Sequence, residues 1–102
     1  MQNKVLIKLI VPELDTSFDI FIPVNEVVWK IRKLILMSIS DLTNIPIDIN
    51  SEYLLINKDT CKVYKNNDVI VDTDVRNSSE IILVSRWLYY GNFWENQFIN
   101  WW

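Results

Sequence analysis

Covalent or metal chemistry needs a nucleophile, a base or a ligand set, and this sequence offers few of each. Cys61 is the sole thiol, with Lys58, Lys62 and Lys65 around it. A cysteine attacks as its thiolate, in an accessible and electropositive setting or beside a base. The chain has no histidine, which excludes a Cys-His pair, a Ser-His-Asp triad and a His-ligated metal. The three lysines read as a solvated turn, and Cys61 as an idle side chain near a strand end. Asp72 with Asp74, and Asp59 with Asp68, are the acidic pairs nearest to a divalent-cation site. Hard cations take six or more oxygens in a shaped loop, and the EF-hand pattern with its central glycine is absent. These carboxylates read as solvated turn acids, so neither metal nor cofactor is expected. The single glycine, Gly91, also excludes a phosphate-cradling P-loop and a dinucleotide fingerprint.

Lys30, Arg32 and Lys33 cluster within four positions, but the chain has a net charge of −3 with ten basic residues in all. That leaves no broad cationic surface to offset phosphate charge, and nucleic acid is not an expected partner. The inventory points away from catalysis and towards binding.

The remaining composition describes a chain that folds. Half of the 102 residues are hydrophobic and 23% are charged, an ordinary globular balance for one domain with one core. No apolar run approaches the roughly 20 residues that a membrane-spanning helix needs. The opening MQNKVLIKLIVPELD has no secretory pattern, and a lone cysteine makes no internal disulfide, so a cytoplasmic setting is expected.

Alternation sets the elements. In Val5–Val11 the central Lys8 marks the wet face, so Val5, Ile7, Leu9 and Val11 point inward while Leu6, Lys8 and Ile10 point outward. Pro12 to Ser17 reads as a turn. Phe18, Ile20 and Ile22 return as the inward side of a second strand, with Asp19 and Phe21 outward. Pro23 stops that strand. Asn25 is the expected N-cap of a helix from about Glu26 to Ile39, with Val28, Ile31, Leu34, Ile35 and Ser38 or Ile39 on its buried stripe. Ser40–Ser51 reads as a loop, Tyr53–Ile56 as a short strand, Asn57–Thr60 as a turn and Lys62–Lys65 as a brief returning strand. Asn66–Asp68 is a turn, Val69–Val71 an edge segment and Glu80–Ser85 a final strand, with Ile81 and Leu83 on one face and Ile82 and Val84 on the other.

This order predicts an α+β fold, a mixed sheet over one main helix with the first and last strands parallel and central. Over residues 1–85 the chain resembles the ubiquitin-like β-grasp superfamily. The likeness rests on Met1-Gln2, on the proline that closes strand two, and on the apolar spacing of Ile70, Val75, Ile81 and Leu83. Within it the chain is similar to the small YukD/EsaB-type proteins of bacterial type VII (WXG100) secretion systems. The residues concerned are Ile56-Asn57-Lys58-Asp59, Lys62-Val63-Tyr64, Glu80-Ile81-Ile82-Leu83 and Trp29 in an apolar helix. The resemblance implies a non-enzymatic, cytoplasmic accessory or regulatory role with secretion-machinery proteins as partners. A ubiquitin-type modifier needs a Gly-Gly terminus, whereas this sequence ends Asn100-Trp101-Trp102 and has only Gly91, so covalent conjugation is not expected. A free-standing ubiquitin-like adaptor outside secretion is the alternative.

Residues 86–102 form an aromatic extension to the 1–85 domain, with four of the five tryptophans, two tyrosines and two phenylalanines in 17 residues. Trp87, Tyr90, Trp94, Phe98 and Trp101 share a stripe at helical spacing, while Gly91-Asn92 suits a hairpin turn. Aromatics dominate buried contacts. The sheet face away from the helix should expose Leu6, Ile10, Phe21, Ile82 and Val84. Together with the extension it is the expected protein interface, including a homodimer in which tails exchange. The extension covering its own sheet, or touching a membrane surface, are the other readings of the same residues.

Overall fold

The computed structural model describes residues 3–86. Four strands form one sheet: β1 Lys4–Val11, β2 Thr16–Pro23, β3 Tyr53–Asn57 and β4 Glu80–Ser85. Their spatial order is β2-β1-β4-β3. β1 and β2 are an antiparallel hairpin, β1 and β4 are parallel, and β3 runs antiparallel to β4. The first and last strands are therefore the central pair, as the element order predicts. The hairpin turn is a 3-10 segment, Pro12–Leu14, closed by Asp15 at φ 53°.

One helix, α1 (Val28–Thr43), covers one sheet face. Ile7, Leu9 and Val11 of β1, Ile22 of β2 and Ile81 and Leu83 of β4 meet Val28, Ile31, Ile35, Leu36 and Ile39 in the main core. The alternation read from the sequence thus places every one of these strand residues correctly. Ile70 and Val75 join the same core, which gives physical content to the spacing that ends at Leu83: both are buried, whereas Val71 beside Ile70 is exposed.

The helix departs from expectation at both ends and in phase. Its N-cap is Val27, not Asn25, and no side chain caps it. The first amides are satisfied from a distance, since Val28 N–H donates to the Asp68 carbonyl (2.8 Å) and Trp29 N–H to that of Asn66 (3.2 Å). Backbone groups of a far turn do the work of a cap side chain, and such a start leaves no local mark. The helix continues past Ile39 to Thr43, where Asn44 adopts the left-handed conformation (φ 57°) and ends it. Leu34 is 49% exposed, whereas Leu36 is fully buried. Leu36 lies eight residues after Val28 on the stripe set by Val28, Ile31, Ile35 and Ile39, and Leu34 falls off its flank.

The predicted returning strand Lys62–Lys65 does not form, and the edge segment Val69–Val71 pairs through a single bridge. Between Cys61 and Lys65 only Val63 makes an isolated bridge, to Ile56. Val69 bridges Val27, and Ile70–Asp72 is a 3-10 turn. Ile70 N–H donates to the Glu26 carbonyl and Val71 N–H to that of Val24. The linker that precedes the helix takes the donors an edge strand would have used.

A polar knot fastens this crossing to β3. Tyr64 is buried, and its hydroxyl donates to Asp74 Oδ1 at 2.5 Å. Asn57 Nδ2 donates to the Tyr64 hydroxyl (3.0 Å), and Asn57 Oδ1 accepts the N–H groups of Asp59 (2.9 Å) and Thr60 (3.2 Å). Burial, then the hydrogen bond to Asp74, raise the Tyr64 pKa, against a smaller opposing effect of Asn57. The folded pKa therefore lies above the unfolded value of about 10. The corresponding stability is complete below about pH 10 and is lost as pH rises beyond it, where the unfolded chain ionises and the folded one does not. Denaturation midpoints measured from about pH 8.5 to 11.5 should fall along an alkaline limb. Tyr64→Phe should make that limb shallower, whereas an unchanged slope would mean that Tyr64 does not resist ionisation.

Candidate functional site

The sheet face opposite α1 is built by the outward parity of each strand. Hydrogen-bonding directions fix which backbone groups serve which neighbour. Lys8 N–H donates to the Ser79 carbonyl and Ser78 N–H to the Leu6 carbonyl, so the even residues of β1 bond towards β4. Asn77 Oδ1 accepts the Leu6 N–H at 2.9 Å. Leu6 is thus held at both backbone groups, and its side chain stands opposite Phe21 across the hairpin.

Three rows cross this face. Phe21 and Leu6 form an apolar pair at one end, 68% and 37% exposed. Next comes a charged row in which Asp19 pairs with Lys8 and Lys8 with Glu80. Lys58 extends it, with its Nζ 3.5 Å from Glu80 Oε1. The alternating signs make this row neutral, and the Lys58–Glu80 pair is half-buried, with side chains 31% and 32% exposed. Beyond it lies a second apolar row, Ile10–Ile82–Ile56.

That second row differs from expectation. Ile82 and Val84 face away from the helix, yet they are 0% and 1% exposed. They pack with Ile56 in a cluster of their own, flanked by Ile10, Leu54 and Val63. β4 is a central strand, so its side chains have neighbours on both sides, and alternation gives the face of a residue without its depth. Of the five face residues predicted to be exposed, Leu6 and Phe21 are, Ile10 is half-buried, and Ile82 and Val84 are buried. Trp87, Tyr90, Trp94, Phe98 and Trp101, and with them the choice between helix and hairpin, lie outside the described residues.

Read from sequence, Lys58 falls beside Cys61 and in the segment Ile56-Asn57-Lys58-Asp59, and not on the sheet face. Its place on the sheet face could be found by continuing the alternation of β3, in which Leu54 and Ile56 share its parity, one step into the following turn.

The residues with chemical potential stay apart from one another. Cys61 is exposed, in a left-handed turn conformation (φ 61°). Asp74 is held by Tyr64, and Asp68 Oδ2 accepts the Lys65 N–H. Among the described residues no group of three or more acids or cysteines is placed to hold a metal ion. Lys30 and Lys33 lie over the Trp29 ring, at 5.6 and 5.5 Å from its centroid, and Arg32 donates to Asn66 Oδ1 at 2.7 Å. The basic trio thus decorates the helix surface and its flank. No helix among the described residues is long and apolar enough to cross a membrane.

The arrangement of β2-β1-β4-β3 around one helix recurs in solved structures. The ubiquitin-like domain of Plasmodium falciparum Dsk2 matches 80% of this chain and 97% of its own, with a TM-score of 0.59 and 16% identity. Caldiarchaeum subterraneum ubiquitin matches 81% of this chain and 94% of its own, with a TM-score of 0.58 and 14% identity. The fold is ubiquitin-like. A chain of the ESX-5 inner membrane complex is also similar, over 81% of this chain but 21% of its own, with a TM-score of 0.60 and 12% identity. At these identities the likeness concerns the fold alone. Neither a protein-family model nor a curated protein sequence matches the chain.

Proposed function

We propose that this ubiquitin-like domain is a non-enzymatic binding module that docks a protein partner on the sheet face opposite α1. Phe21 and Leu6 are its anchors, Ile10 forms the margin, and Ile82 and Val84 are the rigid floor beneath. The observation that carries this reading is the side-by-side exposure of Phe21 and Leu6. A large aromatic kept in water gains nothing for folding and is the kind of residue that anchors interfaces. The neutral charged row beside it sets register for a partner without attracting polyanions.

The aromatic stripe Trp87, Tyr90, Trp94, Phe98 and Trp101 belongs to the same interface in this reading. It either extends the docking surface for another protein or exchanges between two copies of the chain. The sequence likeness to YukD/EsaB-type proteins supports a cytoplasmic accessory role in type VII secretion, with components of the secretion machinery as partners.

A deletion strain complemented with the Leu6→Ser, Phe21→Ser double variant tests this proposal. Both residues are exposed, so the variant should fold with an unchanged near-UV spectrum and a stability change of about 0.5 kcal/mol or less per site. It should lose partner binding by more than about tenfold and fail to restore secretion. A folded double variant that restores secretion fully would contradict the assignment of this face.

A further inference from the structure

Away from the docking face, the core is open at the end where α1 stops. A cavity of about 280 Å³ lies there, close to the lower size limit of small-ligand pockets. Leu14, Leu36, Ile39, Ile45 and Leu83 give it apolar walls, and its polar groups are Glu13, Asp48 and Tyr53. These come from the hairpin turn, from the loop after α1 and from the first residue of β3, so the sequence gives no local sign of the site.

The charged residues that line this cavity, Glu13 and Asp48, are both acidic. Glu13 Oε1 accepts the Ser85 N–H (2.8 Å) and Asp48 Oδ1 accepts the Asn50 N–H (2.9 Å). The ion pairs among the described residues, Lys30–Glu26, Lys58–Glu80 and Arg86–Glu52, involve neither carboxylate. The C-terminal end of α1 adds the negative pole of its dipole, and its last turn holds no basic residue. Burial, then the charge of Glu13, raise the Tyr53 pKa, which keeps its hydroxyl neutral beside the acids. Ser85 stands opposite Tyr53 in the sheet, its N–H donates to Glu13, and its buried Oγ has no hydrogen-bond partner among the described residues. An apolar hole rimmed by an aromatic ring and by carboxylates that no cation among the described residues pairs with is the complement of a cation on an apolar stem.

We propose that this cavity binds a primary alkylammonium group, with the alkyl stem against Leu36, Ile39 and Leu83 and the ammonium between Glu13 and Asp48. The three N–H donors of the head match carboxylate acceptors, and Tyr53 puts an aromatic residue in the lining of the same cavity. A free alkylamine and a lysine side chain present the same chemistry. The site is independent of the sheet-face docking reading.

The test is a titration of the 102-residue chain with n-hexylammonium, followed by amide and methyl NMR shifts. Saturable shifts are expected at Ile39, Ile45 and Leu83 and not at Leu6 or Phe21, with no such shifts from hexanoate. Asp48→Asn and Glu13→Gln each keep an oxygen to accept the existing backbone N–H, and each should weaken binding about tenfold. A parallel titration with an end-blocked lysine tripeptide separates the sources. Binding of hexylammonium alone supports a free amine, and binding of the tripeptide supports a partner's lysine. Absence of saturable shifts with both cations, equal binding of hexanoate, or unchanged affinity in both variants would overturn the proposal. Failure here leaves the sheet face untouched, because Leu6 and Phe21 report on it separately.

Discussion

Leu36→Ala is expected to cost about 2–5 kcal/mol, while Leu34→Ala, two positions away, should cost about 0.5 kcal/mol. The two residues are chemically identical and share a helix, so propensity and unfolded-state effects nearly cancel between them. What differs is surroundings: Leu36 is 0% exposed between α1 and the sheet, whereas Leu34 is 49% exposed. Truncating Leu36 forfeits its transfer free energy and leaves a cavity that a sheet on one side and a helix on the other can only partly close. A domain of this size has a total stability of roughly 5–15 kcal/mol, so the loss is a large share. Urea denaturation with matched m values measures both variants. Equal costs, or a larger cost at Leu34, would mean that α1 is rotated from the phase described.

Asn57→Ala should destabilise by about 2–4 kcal/mol. The Asn57 side chain is a buried junction. Its amide donates to the Tyr64 hydroxyl, and its oxygen holds the two turn amides of Asp59 and Thr60. Its amide also donates to Asp74 Oδ2 (3.4 Å); alanine removes all four bonds and returns none, so the part-buried groups left behind carry their desolvation cost. Tyr64→Phe removes one hydroxyl from the same knot and should cost about 1–2 kcal/mol. The double variant should cost less than the sum, because the two residues share a bond. Hydrogen exchange at Asp59 and Thr60 gives a local reading of the same event, with protection lost in Asn57→Ala. A cost below about 0.5 kcal/mol would show that the knot carries no stability.

These two residues also mark where sequence reading succeeds and where it stops. Strand parity was legible in β1 because a single lysine, Lys8, stands in the middle of the otherwise apolar run Val5–Val11. Helix phase was not, because leucine or isoleucine occupies positions 31, 34, 35, 36 and 39, and more than one stripe can be drawn through them. The helix start was hidden because its cap is a pair of carbonyls from Asn66 and Asp68. Depth on the sheet face was hidden for a related reason. Ile82 and Val84 have the expected parity, but their burial depends on Ile56, Ile10 and Leu54 from other strands. The two face residues whose exposure agrees with the sequence reading, Leu6 and Phe21, are those fixed by a hairpin register between neighbouring strands.

The central claim is that the Phe21–Leu6 end of the open sheet face is where another protein docks. Site-specific photo-crosslinking in the native host tests it most directly. A photoreactive benzoylphenylalanine is placed at position 21 in one strain and, in a second, at position 37 on the outer face of α1, where Met37 is 48% exposed. The account predicts a discrete crosslinked adduct from position 21 and none from position 37. No adduct from position 21, or the same adduct from both positions, would contradict it.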